Sequence, residues 1–203
     1  QIPLVFDEVV TGFRFAYGGA QEYYGVVPDL VAYGKIIGGG FPLGAVCGRE
    51  AIMRNLDPSL EGTPEFVAQV GTLNGNPIAA VAGLATLAEL RKLGTYARLH
   101  RIGAELKDGL ADLVKRSGIP AQVAGEAPLF DLFFTDRPIT DYRSTLTSDR
   151  ELLTAFNQEC LKHGILKGAQ KLYVSLAHTE ADVERTLEAF AGALSALPRP
   201  QGA

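Results

Sequence analysis

The sequence predicts a mixed α/β protein in two parts, on three observations. Short apolar runs of strand length alternate with helical stretches near the start; helix-forming residues dominate from 76 to 117; and from Pro120 onward a new alternation reads as a small α+β unit. With 203 residues, 47% hydrophobic and 21% charged, the chain can build a sizeable core, in one domain or shared between two. A second, smaller domain is expected, with the division drawn between residues 1–95 and 96–203.

The elements follow from period and punctuation. Residues 3–7 (PLVFD) and 29–34 (DLVAYG) are apolar runs that end at a polar residue or a glycine, and read as buried strands; AQEYYG between them reads as a short helix. LGAVCG is a third short apolar run, and REAIMRNL reads as a helix leading into a loop rich in Gly, Pro and Thr. Pro77 suits the first position of a helix, and Gly94 divides the helical stretch in two. Beyond Pro120, AQVAGEAPLFDLFFTD and GILKGAQKLYVSLAH read as a small antiparallel sheet, with helices over 149–163 and 179–197. In the last helix Val183, Leu187, Phe190, Leu194 and Leu197 recur at spacings of three and four, so one face packs. Thr179 and Asp182 have the spacing of an N-cap and its N3 partner, which makes His178 a structural neighbour of a helix start; His100 and His163 read as surface or boundary residues of helices. The tail PRPQGA reads as frayed.

Charge and cysteine usage exclude whole classes of function. A net charge of −4 and a pI near 5.4 offer no footprint for nucleic acid or an anionic membrane surface, and no apolar run approaches a transmembrane helix. Cys47 and Cys160 are far apart and lack metal-ligand spacing, so both read as reduced, buried thiols of a cytoplasmic protein. The only methionine is Met53, and the chain opens straight into an apolar strand, which reads as a fragment.

The chemistry concentrates in PDLVAYGKIIGGGFPLGA, residues 28–45. Lys35 is the only charged residue between Asp29 and Arg49, set before three glycines. Such a lysine either snorkels to water from a strand end or sits in a pocket, where desolvation makes its neutral amine a nucleophile. The stretch is no P-loop, because the glycines follow the lysine and Ile36 stands where a hydroxyl would bind magnesium. Glycines placed there leave a backbone able to lie against a flat ligand. Asp7 also ends an apolar strand, where ligands bind in open α/β sheets. With parallel strands the two side chains enter one crevice, and an acid plus a lysine there suits pyridoxal phosphate (PLP), the lysine as Schiff base and the acid on the pyridinium nitrogen. Residue types alone favour a simple Asp–Lys ion pair, or two unrelated strand-end charges, over that reading.

LVFDEVVTGFR, PDLVAYGKIIGGGFPLGA and GTLNGNPIAAVAGLATL, in this order, closely resemble the class III PLP-dependent aminotransferases, with glutamate-1-semialdehyde aminomutases among the nearest relatives. FFTDRPITDYRSTLTSDRELLTAF and VSLAHTEADVERTL resemble that family's C-terminal domain, so the likeness covers essentially the whole chain and leaves out the family's N-terminal half. The resemblance implies part of the large fold-type I PLP-transferase domain over 1–95, then a smaller α+β C-terminal domain over 96–203. It implies Lys35 as the Schiff-base lysine, Asp7 as the carboxylate that keeps the pyridine nitrogen protonated, and Val9 as the residue packed on the ring. Gly71 and Thr72 match a phosphate-binding turn that the family supplies to the neighbouring subunit, which implies a homodimer.

Glu8 and Arg14, although within the motif, read as structural rather than catalytic, with an ion pair one option. Counting back from Ala177 and His178 places Gln170 where the aminomutase has an acidic residue. A neutral amide beside Lys167 and Lys171 favours an intermolecular aminotransferase of small amino and carbonyl substrates over the intramolecular mutase. A catalytically incompetent folding or dimerisation fragment, and a ligand-binding domain without activity, are the readings from other classes.

Overall fold

The computed structural model describes residues 2–198; Gln1 and the expected frayed tail from Arg199 lie outside the described residues. The chain forms two compact units, residues 1–96 and 97–203.

In the first unit a three-stranded sheet has the order β1 (Val5–Glu8), β2 (Leu30–Tyr33), β3 (Ala45–Gly48). β1 and β2 run parallel, with Asp7 opposite Ala32 and Glu8 opposite Tyr33; β3 returns antiparallel to β2, with Val46 opposite Ala32. The parallel pair needs a crossover, supplied by the loop after β1 and the short helix α1 (Gly19–Tyr24). Asp29 ties the strand entrances together: its carboxylate accepts from Leu4 N at 2.7 Å and pairs with Arg49 Nε at 2.7 Å. The REAIMRNL helix is shorter than expected, a single α turn, α2 (Glu50–Met53), tightening to a 3₁₀ turn over Arg54–Leu56. It buries no residue, and without an apolar face to dock, four residues of propensity cannot extend it.

α3 (Pro77–Leu90) starts where expected. Asn76 Oδ1 accepts from Ile78 N and Ala79 N, and Pro77 occupies the first turn, where its missing N–H costs nothing. Gly94, at φ 83°, breaks the helical stretch before α4 (Thr95–Ser117). α3 also explains one of the three glycines after Lys35: a Cβ on Gly39 would lie 2.5 Å from Ala82 O. The turn after Lys35 thus lies directly on the helix.

The second unit packs α4, α6 (Arg150–Lys162) and α7 (Glu180–Ala196) with an antiparallel sheet of β4 (Gln122–Glu126), β5 (Leu129–Phe133) and β6 (Leu172–Tyr173); α5 (Tyr142–Thr145) is one turn between β5 and α6. α4 buries Leu99, Ile102, Leu106, Leu110 and Val114, a stripe at spacings of three and four. The rings of Phe134, Phe156 and Phe190 form the core, with centroids 6.0 and 5.5 Å apart along the chain of three. Thr179 caps α7 reciprocally with Asp182, and Val183, Phe190, Leu194 and Leu197 are buried as the pattern predicts. Leu187 sits half-buried over Gly109 of α4, where an added Cβ would lie 2.7 Å from Leu187 Cδ1. His178 Nδ1 accepts from Ser175 N at 3.1 Å, a structural role at the helix start.

The cysteines divide. Cys160 is buried, but Cys47 is exposed, because it lies on β3, an edge strand of the first sheet, rather than in a core. Burial pushes the Cys160 thiol up to about 11. A water-soluble thiol reagent should therefore add once to the folded protein, at Cys47; two rapid additions by intact mass would contradict this placement.

Candidate active site

The C-terminal ends of β1 and β2 converge because the strands are parallel, and each carries one of the residues singled out in the sequence. Asp7 is exposed, whereas its neighbour Glu8 is 1% exposed, so the alternation of the strand sends the two carboxyl groups to opposite faces. Asp7 Oδ1 accepts from Val9 N at 3.0 Å. Val9 stands just past the strand and packs on Gly34; a Cβ there would come 3.2 Å from Val9 Cγ1, so a side chain at this position would make Val9 give way.

Lys35 is exposed and opens a 3₁₀ turn over Lys35–Gly38, with φ at 48°. A lysine in the left-handed region is strained, and such strain persists only where the surroundings over-determine it, a condition met chiefly at functional sites. Its side chain stands open to water.

Asp7, Ala32 and Val46 form one row across the sheet. Ala32 and Val46 also line a concavity of about 850 Å³, whose other wall comes from Leu56, Phe66, Gln69 and Asn74. That volume is in the range of small-molecule sites. Gly71 and Thr72 lie in an exposed turn closed by Asn74 N donating to Gly71 O at 3.0 Å. Gln69 and Asn74 beside them face the concavity, but among the described residues no hydrogen bond joins Gly71 or Thr72 to Asp7, Val9 or Lys35. The structure thus brings together Asp7, Val9 and the Gly34–Lys35 turn, while Gly71 and Thr72 lie in a turn closed by its own backbone.

Glu8 is the residue that sequence reading undervalued. Its carboxylate accepts from Ala20 N at 2.6 Å, Gln21 N at 3.1 Å and Thr11 Oγ1 at 3.2 Å, so it caps α1 from a strand end. Gln21 Nε2 continues the network to Tyr33 OH at 2.5 Å. Burial, and then the charge of Glu8, push the Tyr33 phenol up. The available signal was the alternation of Asp7 and Glu8, which required one of two adjacent acids to turn inward.

Within the second unit, Lys167, Gln170 and Lys171 do not form one charged patch. The Lys167 side chain is 2% exposed and its ammonium stands 3.7 Å from Asp131 Oδ1, while Gln170 and Lys171 face solvent. Desolvation pushes the Lys167 amine down, against the opposing pull of Asp131.

The family model for aminotransferase class-III matches residues 1–194. Over 189 residues the chain is 47% identical to a glutamate-1-semialdehyde 2,1-aminomutase 2 of Brevibacillus brevis, covering 92% of this chain and 43% of that protein. It superposes on an omega-transaminase from Sphaerobacter thermophilus with a TM-score of 0.88 at 38% identity, covering 96% of this chain and 44% of the other. A transaminase solved with PLP bound aligns with a TM-score of 0.82 at 28% identity, over 95% of this chain and 44% of that one. The fold is therefore that of the class III transaminases. The chain belongs to the class-III aminotransferase family, and it spans less than half the length of the curated relatives it matches.

Proposed function

We propose that this chain is the C-terminal part of a PLP-dependent enzyme that transfers amino groups between small amino and carbonyl compounds, with residues 1–95 completing the cofactor domain and 96–203 forming the small C-terminal domain. The observation that carries the reading is the pairing of an exposed amine, Lys35, on a strained left-handed backbone with an exposed carboxylate, Asp7, at the adjoining ends of two parallel strands. The donor set fits PLP: an amine for its aldehyde, a carboxylate for its ring nitrogen, the apolar Val9 for its ring. When bound, PLP supplies an electron sink for the carbon that bears the amino group.

Lys35 would hold the cofactor through its Nζ, and the same Nζ would be the base that takes and returns the proton of the amine-bearing carbon. Asp7 would keep the ring nitrogen protonated through its carboxylate. Gly71 and Thr72 serve the neighbouring subunit of a homodimer, offering a hydroxyl and backbone N–H groups to a phosphate. Their exposure, and the exposed Ile78, Val81 and Leu84 along one side of α3, support such a partner. Among the described residues no helix is long and apolar enough to cross a membrane. The free thiols of Cys47 and Cys160 support a cytoplasmic enzyme.

A second reading, intramolecular transfer as in glutamate-1-semialdehyde aminomutase, is favoured by the identity to the Brevibacillus protein. The test is to add PLP to the native protein, reduce with borohydride and map the label. A label on Lys35 is expected, and label elsewhere or none refutes the assignment. Conversion of glutamate-1-semialdehyde without a second carbonyl substrate separates the mutase from an intermolecular transaminase.

A further inference from the structure

We propose that Glu8 is a positioning residue for Lys35, acting through Gln21 and Tyr33; the proposal rests on the reading of Lys35 and Asp7 given above. Lys35 holds a left-handed backbone, φ 48°, which an L-residue leaves unless the chain on both sides is pinned. On the far side the pin is α3, which admits no side chain at Gly39. On the near side it is Tyr33, two residues before Lys35, and nothing in β2 itself holds that phenol.

What holds it is a network rooted in Glu8. Tyr33 stands opposite Glu8 in the parallel register. Its hydroxyl accepts from Gln21 Nε2 at 2.5 Å, and the same amide nitrogen is 3.4 Å from Glu8 Oε1. Gln21 is in turn fixed at the start of α1, where its backbone N and that of Ala20 donate to the Glu8 carboxylate. The ring is wedged as well: Gly12 N donates to Glu8 O at 2.9 Å, and a Cβ on Gly12 would lie 2.6 Å from Tyr33 Cδ1. The Phe13 ring covers it with a centroid 5.4 Å away. A carboxylate buried to 1% exposure and met by four donors thus joins the ends of both strands, on the face opposite Asp7. A helix cap alone would need neither the link to Tyr33 nor the glycine at 12.

The consequence is local order in the 34–39 turn, measurable without the cofactor. That turn is closed by Ile37 N to Gly34 O at 3.3 Å and Gly39 N to Ile36 O at 3.0 Å. In the PLP-free native protein, Glu8→Gln should speed amide exchange of Ile37 and Gly39 about tenfold, as loss of a single buried bond would. It should also slow formation of the borohydride-trapped Lys35 adduct and lower kcat, with KM little changed. Gln21→Met and Tyr33→Phe leave the bonds from Ala20 N and Gln21 N in place, so they remain informative if Glu8→Gln does not fold. Both should speed exchange at Ile37 and Gly39 while leaving α1 unaffected. Exchange that rises only over residues 18–25, with adduct formation at the unsubstituted rate, makes Glu8 a helix cap and overturns the proposal alone. No adduct on Lys35 in the unsubstituted protein overturns the reading of the site and the proposal with it.

Discussion

Lys35→Ala should abolish the borohydride-trapped adduct and lower amino transfer by about 10⁴-fold or more, because in the proposed role one substitution removes both the covalent anchor and the proton carrier. The fold should survive. Lys35 is exposed, and the bonds that close its turn come from backbone atoms of Gly34, Ile36, Ile37 and Gly39. The strain gives a companion result. At φ 48° any residue with a Cβ is disfavoured, and glycine is not. Lys35→Gly should therefore be inactive yet more stable than the unsubstituted protein, by up to about 1 kcal/mol after glycine's extra chain entropy is subtracted. Activity and stability would move in opposite directions at one position, and thermal unfolding of both variants beside trapping with PLP measures both. Retained transamination by either variant would refute the role of Lys35.

Asp7→Asn should lower turnover by about 100- to 1000-fold, the loss that follows removal of one preorganised charge from a reacting centre, while PLP still binds. The amide keeps the side-chain oxygen that accepts from Val9 N, so the end of β1 retains its geometry. What it loses is the negative charge that favours a proton on the ring nitrogen. The measurement is the rate of exchange of the substrate α-hydrogen with solvent deuterium. A rate equal to that of the unsubstituted protein would reduce Asp7 to a strand-end turn residue. Glu8→Gln offers the contrast, since Glu8 is next in the chain but faces the other way, and there the turn around Lys35 loosens first.

Patterns that depend on neighbours in the chain were determined by the sequence itself. The helix starts at Asn76–Pro77 and Thr179, the break at Gly94 and the buried stripe of the last helix all appear as expected, because caps, φ preferences and helical periodicity act within one or two turns. The motifs around Asp7 and Lys35 likewise sufficed to identify the family, whose model matches residues 1–194. Which groups became buried was decided only by the tertiary structure. Residue type alone does not say that Glu8 and not Asp7 turns inward, that Lys167 leaves its neighbours Gln170 and Lys171 to meet Asp131, or that Cys47 stays at a sheet edge while Cys160 is enclosed. Each outcome depends on which element covers a face, and the covering element comes from a distant stretch: α1 for Glu8, β5 for Lys167. The strain at Lys35 belongs to the same class. Lysine has no preference for a left-handed backbone, and it is held there by contacts from α3 and by the chain fixed around Gly34 and Tyr33.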